Sequence, residues 1–338
     1  MRSRSKLQTP IGPRRAAASR AVLIRCAHSP IIRPFRFAIT AGRAESGDAW
    51  RAKARRIEEL GYDTLLVTDH LGPQLAPVPA MAAALEATTR LRVGSYVFSN
   101  DYRNPVVLAK EIATLDVLSA GRVEFGLGAG WYQRDYDMLG IPYDPPATRV
   151  SRLIEAVALI DRLFAEDQVD ASGAFYTVHG ARVLPRPVQT PRPPLMIGAG
   201  GRRMLRFAAR HADSIALNPR FDANGQPVFA DLTTGEVERK LAAVRAAVGA
   251  RLDRVELNVF VVDAGVTDAP RSLFDAFATR VKGAAAQIVD SPFFLYGSTA
   301  HLKQLLLERR DRLGITYYGL PEKAMEPFAP LVREMRGR

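Results

Sequence analysis

Residues 61 to 70 read Gly61-Tyr62-Asp63-Thr64-Leu65-Leu66-Val67-Thr68-Asp69-His70. The stretch combines a helix-stopping glycine, a short apolar strand and a polar pair where the strand ends. The segment before it predicts an amphipathic helix that starts near Asp48, because its apolar residues share one stripe: Trp50, Ala54, Ile57 and Leu60. A helix followed at once by a buried strand and a polar loop is the repeating unit of parallel α/β folds.

The same alternation continues along the chain and predicts eight strands. They are Phe35–Thr40, Asp63–Thr68, Leu91–Phe98, Arg122–Gly126, Leu195–Gly198, Asp213–Leu217, Val255–Val262 and Ile315–Gly319. Eight strands, each followed by a helix, is the number at which a parallel sheet closes, whereas doubly wound sheets more often stop at five or six. We therefore predict an α/β fold of the (β/α)8 TIM barrel class. One barrel is expected over residues 35–338, with an insertion after strand 4, at about residues 165–194, where glycine and proline interrupt the pattern.

The first 34 residues differ in composition from the rest of the chain. Residues 1–36 hold nine basic residues and no acid, so the net charge of +12 falls to +3 without them. Their Arg, Ser, Ala and Pro content predicts a disordered basic extension over residues 1–34. A body this close to neutral lacks the basic stripe that nucleic-acid binding requires, so no nucleic acid is expected as a partner.

Composition argues against several other classes. The longest apolar runs are far shorter than the ~20 residues of a membrane span, so no membrane partner is expected. The single cysteine, Cys26, cannot form an intramolecular disulfide, and the five histidines lack metal-ligand spacing, so no metal site is predicted. A cytoplasmic location is the default expectation.

Asp69 and His70 are the first candidate site residues. Residues that follow a barrel strand lie on the catalytic face, and an imidazole there can exchange a proton near neutral pH. The neighbouring carboxylate could bond to a cofactor or fix the imidazole tautomer. The alternative is an ordinary surface pair that caps the following loop.

Two glycine-rich segments follow later strands. The first, Gly126-Leu127-Gly128-Ala129-Gly130-Trp131, allows a planar ligand or a phosphate to approach the backbone. It has no G-x-G-x-x-G spacing, which argues against a Rossmann dinucleotide site. The second, Gly198-Ala199-Gly200-Gly201, ends a strand and opens a helix at Met204, which suits a phosphate. A tight turn that needs glycine explains this second segment equally well.

Taken in order, these stretches resemble the luciferase-like monooxygenase superfamily, and within it the oxidoreductases that depend on the deazaflavin coenzyme F420. Thr68-Asp69-His70 is similar to their S-D-H motif. Leu118–Arg122 and Gly126–Trp131 match their most recognisable block, and Leu313–Tyr318 matches the usual entry to the last strand. The resemblance extends from about Phe35 to the C-terminus.

The resemblance implies a role for each candidate. His70 would be the catalytic proton donor or acceptor beside the coenzyme ring, and Asp69 would contact the coenzyme. A strand-three bulge with a non-prolyl cis peptide would support the ring. The remaining implied coenzyme-binding residues are Ser95, Tyr96, Val97, Gly128, Ala129, Gly130, Gly198, Ala199, Gly200 and Gly201.

One position departs from the family pattern. A glucose-6-phosphate-oxidising member has a glutamate directly after the strand-four glycines, whereas this chain has Trp131. An aromatic side chain there argues against a sugar phosphate and favours an apolar or planar substrate.

The sequence therefore predicts an F420-dependent oxidoreductase that transfers hydride between C5 of the deazaflavin and a small organic substrate. The alternatives are an FMN-dependent two-component flavin monooxygenase on the same barrel face and a non-catalytic barrel that only binds the coenzyme. The resemblance further implies a homodimer packed through barrel helices, with a coenzyme-reducing enzyme as a further partner.

Overall fold

The computed structural model describes residues 33–222 and 225–338. The predicted disordered extension, residues 1–34, lies outside the described residues except for its last two, so that prediction is untested. Residues 33–338 form one compact unit. Among the described residues, no helix has the length and apolar content that a bilayer span requires. The same residues contain no group of three or more His, Cys, Asp or Glu side chains arranged to hold a metal ion.

Thirteen strands are present in the described part of the chain. They are β1 (Arg36–Thr40), β2 (Thr64–Val67), β3 (Arg92–Ser95), β4 (Phe98–Ser99), β5 (Val123–Gly128), β6 (Val169–Ser172), β7 (Thr177–Ala181), β8 (Leu195–Ala199), β9 (Ser214–Leu217), β10 (Glu256–Phe260), β11 (Asp263–Val266), β12 (Phe294–Gly297) and β13 (Ile315–Pro321).

Eight of these strands close a parallel barrel. The ring runs β1, β2, β3, β5, β8, β9, β10 and β13, and β13 pairs back to β1. Each strand of the ring coincides with one of the eight predicted strands, so the TIM barrel prediction is confirmed. All eight point the same way, so the loops after the strands gather at one end, which we call the barrel mouth.

Ten α-helices accompany the strands in the described residues. They are α1 (Gly47–Leu60), α2 (Pro77–Ala87), α3 (Pro105–Leu118), α4 (Gln133–Leu139), α5 (Pro146–Ala165), α6 (Arg202–His211), α7 (Thr234–Val248), α8 (Pro270–Arg280), α9 (Thr299–Leu313) and α10 (Ala329–Met335).

Helix α1 shows how local sequence fixes these boundaries. Ser46 caps its start by accepting from the backbone N–H of Ala49, and Gly61 ends it in the left-handed region at φ 94°. The four apolar residues predicted to share a stripe, Trp50, Ala54, Ile57 and Leu60, are the buried ones. The helix therefore packs on the barrel as its periodicity predicts.

Most strands differ from their predicted bounds by one or two residues, and three differences lie near the predicted site residues. The predicted third strand, Leu91–Phe98, is interrupted: β3 stops at Ser95, a cis peptide joins Tyr96 to Val97, and β4 resumes at Phe98. β5 continues two residues beyond the prediction to Gly128, because Gly128 pairs with Ser99 of β4. Helix α6 begins at Arg202 instead of Met204, so its first two residues are arginines within the helix.

Residues 169–181 stand apart from the barrel sheet. β6 and β7 form an antiparallel pair between α5 and β8. Glu155 of α5 holds the turn between them by accepting from the backbone N–H groups of Ala174, Phe175 and Tyr176. This hairpin falls within the stretch 165–194 in which the strand and helix alternation breaks.

A network of charged side chains fills the amino-terminal end of the barrel interior. Glu124 accepts from Arg36, from Arg92 Nε at 2.9 Å and from the Tyr317 hydroxyl at 3.1 Å. Arg36 also donates to Glu256 at 2.8 Å. Although burial favours the neutral carboxyl, Arg36 and Arg92 hold the pKa of Glu124 below its ordinary value. We call this group the amino-end network.

Candidate active site

His70 lies at the barrel mouth, directly after β2, and is oriented by a buried carboxylate. Its Nδ1 is 2.7 Å from Oδ2 of Asp135, a residue in the first turn of α4. The His70 side chain is 31% exposed, whereas that of Asp135 is 2% exposed. An ionised carboxylate can only accept, so such a partner would place the proton of this bond on Nδ1, and a neutral imidazole would then have its lone pair on Nε2.

Asp135 has two further donors that fix its position. The backbone N–H of Leu71 donates to Oδ1 at 3.2 Å, and the Tyr102 hydroxyl donates to Oδ2 at 3.3 Å. Burial, reinforced by Asp135, raises the pKa of Tyr102 above its ordinary value, so the phenol keeps its proton. The carboxylate is therefore held on both sides and presents a fixed acceptor to His70.

Gln74 fixes the backbone turn that carries His70. Its Nε2 donates to the carbonyl of His70 at 2.9 Å and to that of Thr68 at 3.1 Å. Its Oε1 accepts from the Thr68 hydroxyl at 2.8 Å. The imidazole is thus held through both its ring nitrogen and its main chain.

Asp69 is buried beside His70 and is fully engaged within the protein. Arg103 binds it with both guanidinium ends, with Nη2 donating to Oδ1 at 3.0 Å. The backbone N–H of Ser99 donates to Oδ2 at 2.9 Å. In this structure Asp69 ties the end of β2 to the loop that precedes α3.

The predicted residues of the third strand contact both glycine-rich segments. Ser95 Oγ donates to the Gly126 carbonyl at 2.7 Å. A Cβ at Gly128 would lie 2.7 Å from Val97 Cγ2, and one at Gly198 would lie 3.0 Å from the same atom. Val97 is therefore seated between two glycines, which is a packing reason for both.

The other predicted glycines differ in their surroundings. Gly130 has φ 72°, and a Cβ there would lie 1.9 Å from the Tyr136 hydroxyl, so this position requires glycine. Ala129 offers its carbonyl to the same hydroxyl at 3.4 Å. Ala199 is buried, and its carbonyl accepts from the backbone N–H of Asn218 at 3.1 Å.

The two remaining glycines lie at the start of α6. A Cβ at Gly200 would approach the Asn218 carbonyl to 3.0 Å, whereas at Gly201 it would meet nothing within 4 Å. Gly201 is exposed and caps α6 without a side chain. The open end of the helix is therefore accessible at Gly201.

An arc of rings crosses the barrel mouth. Ring centroids are 5.4 Å apart for His70 and Trp131, 4.8 Å for Trp131 and Phe221, 6.1 Å for Phe221 and Phe260, and 5.7 Å for Phe260 and Tyr96. These residues follow or end five different barrel strands. The predicted substrate residue, Trp131, stands in this arc with 37% of its surface exposed.

A cavity of about 310 Å³ adjoins His70. His70, Tyr132 and Asp135 line it together with two basic residues, Arg43 and Arg134. The imidazole therefore borders a space large enough for part of a small organic molecule.

The sequence did not reveal several residues that complete this arrangement. Asp135, Arg103 and Phe221 contact predicted residues, and Tyr102 donates to Asp135, yet none of the four was a candidate. One feature of the sequence could have indicated Asp135: it is an acidic residue at the start of a helix, four residues after Trp131. Its partnership with His70, 65 positions earlier, depends on barrel closure.

Comparison with known proteins places these features in context. The family described as luciferase-like monooxygenase has a model that matches residues 31–262. An F420-dependent glucose-6-phosphate dehydrogenase of Intrasporangium calvum is 32% identical over 197 residues, which cover 55% of this chain and 58% of that protein. This chain spans about half the length of the curated relatives it matches.

Solved structures show the same fold. The coenzyme F420-dependent tetrahydromethanopterin reductase of Methanopyrus kandleri superposes with a TM-score of 0.70 at 18% identity, over 90% of this chain and 100% of that one. A riboflavin lyase solved with modified FMN and riboflavin gives a TM-score of 0.71 at 16% identity, over 89% and 91%. The barrel is thus shared by a protein named for F420 and one solved with FMN.

Proposed function

This chain belongs to the luciferase-like monooxygenase family, and we propose that it is an oxidoreductase that uses coenzyme F420 for hydride transfer to or from a small organic substrate. The observation that carries the proposal is the His70 and Asp135 pair at the barrel mouth, 2.7 Å apart beside a cavity. The 32% identity to an F420-dependent dehydrogenase supports the choice of coenzyme.

The residues at the mouth fit a planar, polar coenzyme ring. Two buried oxygen atoms there have no hydrogen-bond partner in the described part of the chain: Thr40 Oγ1 and Asn218 Oδ1. Thr40 ends β1 and Asn218 follows β9, so the two face the mouth from different strands. A buried polar atom without a partner is costly, and a ligand with donors and acceptors on its rim would satisfy them.

The predicted coenzyme residues would hold different parts of the ligand. Tyr96 and Val97 would support the ring, with the glycines at 128 and 198 fixing Val97 in place. Gly201 and the open start of α6 would receive the phosphate. Asp69 would act indirectly, by accepting from the backbone N–H of Ser99 and from Arg103 and so holding the loop that follows β4.

The chemistry divides between coenzyme and protein. When bound, the coenzyme would supply or accept the hydride at C5 of its deazaflavin ring, which no side chain can do. His70 would give or take the matching proton at Nε2, because Nδ1 is committed to Asp135. Trp131 and the aromatic arc would favour an apolar or planar substrate.

A fluorescence titration tests the coenzyme assignment. The chain has two tryptophans, of which Trp50 is buried under α2 and Trp131 stands at the mouth. Saturable quenching at micromolar F420, with weak quenching by FMN, is the expected result. A Trp131→Phe variant should lose the response while Trp50 still emits.

Two other outcomes would change the assignment. Tighter binding of FMN, with turnover that needs oxygen, would favour the two-component flavin monooxygenase. Binding of F420 without turnover of any substrate under nitrogen would favour the non-catalytic barrel.

We also propose that the chain forms a homodimer through α3. Leu118 is 74% exposed, and Val107, Val117, Leu184 and Val188 are exposed apolar residues on or beside the same helix. A Leu118→Glu variant should convert the dimer to a monomer in light scattering. Leu252→Glu is the matched control, because Leu252 is exposed on another part of the barrel. A monomeric wild-type protein would contradict this proposal.

The proposal also includes a cellular location and a partner enzyme. We place the enzyme in the cytoplasm, where a separate coenzyme-reducing enzyme would regenerate the reduced coenzyme. Fractionation of cells that express the tagged protein would test the location.

A further inference from the structure

A groove on the outside of the barrel lies between α5 and α6. It encloses about 710 Å³, and its apolar floor is formed by Ile154, Val157, Ala158 and Phe207. One wall is basic, because the exposed side of α6 carries arginines along its whole length. The two helices are joined at their starts by Arg203, which donates to the Ala147 carbonyl and to Ser151 Oγ, each at 2.9 Å.

Three of the arginines form a stripe that the protein itself does not neutralise. Arg202, Arg206 and Arg210 are spaced four residues apart, which places them on one side of the helix about 6 Å apart along its axis. All three are exposed. Within residues 33–222 and 225–338, none of their side chains makes a hydrogen bond or an ion pair.

Nearby carboxylates are already engaged. Asp161 and Asp213 both bind Arg192, and Asp161 does so at 2.8 Å. Burial holds the pKa of His211, at the end of the stripe, below its ordinary value; Asp161 opposes this, whereas Arg251, Arg210 and Arg192 reinforce it. The groove is therefore a positive surface that lacks anions of its own.

The stripe starts where the proposed coenzyme site ends. Gly201 caps α6, and Arg202 is the first residue of the helix. From there the stripe runs away from the mouth for eight residues, about 12 Å at 1.5 Å per residue. A ligand whose phosphate lay at Gly201 would have any further extension directed toward these arginines.

We propose that Arg202, Arg206 and Arg210 bind the glutamate tail of coenzyme F420; this rests on the proposed function. Beyond its phosphate, that coenzyme carries a flexible chain of γ-linked glutamates, whose carboxylates repeat at a spacing similar to that of the arginines. FMN ends at its phosphate and has no group that reaches the stripe. The stripe would therefore help this barrel to select F420 over FMN, which the shared fold alone does not do.

The test compares F420 without glutamates and F420 with five or six. Exposed ion pairs are individually weak, so three together correspond to about a tenfold difference in Kd at low salt. The wild-type protein should bind the long-tailed form about tenfold more tightly than the tail-less form. A triple variant, R202Q, R206Q and R210Q, should bind both forms with the affinity that the wild type has for the tail-less form.

A matched control changes the charge by the same amount elsewhere. Arg55, Arg254 and Arg333 are exposed, and each is replaced by Gln. This control should keep the tenfold preference, and its circular dichroism should match that of the first variant. Equal binding of both coenzyme forms by the wild type, or an equal loss in both triple variants, would overturn the proposal. Failure of both coenzyme forms to bind would instead refute the proposed function.

Discussion

The two ends of the barrel interior are both polar, but their polar groups are satisfied differently. At the amino end, both oxygens of Glu124 accept hydrogen bonds from side chains of four other strands. At the mouth, His70 keeps one ring nitrogen free of Asp135, and Thr40 Oγ1 and Asn218 Oδ1 are buried without a hydrogen-bond partner in the described residues. At the amino end the oxygens of Glu124 are paired within the protein, whereas the mouth has polar atoms that remain available to a ligand.

This difference indicates that the amino end serves stability and the mouth serves function. A buried ionic network that is fully paired is destabilising to break, because any removed partner leaves a charge uncompensated. Unsatisfied polar atoms cost stability in the free protein and are retained where a ligand can use them. Substitutions at the amino end should therefore change unfolding, and substitutions at the mouth should change turnover.

The largest effect is expected at His70. His70→Ala should lower turnover by ~10²–10⁴-fold, the usual contribution of a general acid or base, with little change in coenzyme affinity or melting temperature. Steady-state kinetics and a coenzyme titration would measure both. His179→Ala is the control, because His179 is exposed on β7, outside the barrel sheet. Unchanged turnover would remove His70 from the mechanism.

Glu124→Gln should have the opposite effect to His70→Ala: it should lower stability and leave turnover unchanged. The amide cannot neutralise the charges of Arg36 and Arg92. Breaking a buried ion pair usually costs about 3–5 kcal/mol of unfolding free energy. Because both arginines are about a quarter exposed, we expect a loss at the low end of that range, ~3 kcal/mol. Chemical denaturation at neutral pH would measure it, and turnover per folded molecule should not change.

The same substitution makes a pH-dependent prediction. The pKa of Glu124 is lower in the folded protein than its ordinary value, so its stabilisation is complete above that value, ~4.3 for glutamate, and is lost as pH falls below it. The stability difference between wild type and Glu124→Gln should therefore shrink in acid. A difference that grows in acid would contradict the pairing.

Asp135→Asn tests the positioning of the imidazole. An amide at this position can donate to Nδ1 and would favour the tautomer with its proton on Nε2, so turnover should fall by ~10–10²-fold and its pH profile should shift. The loss should appear in kcat more than in KM, because the substitution keeps the size of the side chain and changes the proton position on His70. Asp137→Asn, an exposed neighbour on the same helix, is the control. A pH profile identical to that of the wild type would indicate that Asp135 has only a structural role.

The smallest expected effect is a difference in stability between alanine variants of two glycines at the mouth. Gly128→Ala would bring a Cβ to 2.7 Å from Val97 and should cost ~1–2 kcal/mol of unfolding free energy. Gly201→Ala has open space around it and should leave stability nearly unchanged. Thermal unfolding of both variants would measure this, and equal stability would show that Val97 can move aside.

The barrel could be predicted from sequence because its signals are local. Each strand is a short buried run between a glycine or polar stop and an amphipathic helix, and all eight were found where expected. The break at Tyr96 and Val97 has no local signal, since Leu91–Phe98 reads as one apolar strand; the family resemblance alone implied a bulge with a non-prolyl cis peptide there, and the structure has that peptide. His70 was identified by its position after a strand, a local signal of the same kind.

The missed residues depend on contacts between distant parts of the chain. Asp135 meets His70 only after the barrel closes, and Arg103 meets Asp69 through a loop 34 positions away. The amino-end network does have a weak local signal in the sequence. Three largely apolar strands begin with a charged residue: Arg36, Arg92 and Glu256. That pattern could have indicated an internal ionic layer.

Hydrogen–deuterium exchange with and without F420 tests the central claim most directly. The account predicts added protection in the segments that carry His70, Ser99, Gly130, Gly201 and Asn218, and no change in the strand segments around Arg36, Arg92 and Glu124. Protection at the amino end, or none at the mouth at saturating F420, would contradict the assignment of the mouth as the coenzyme site.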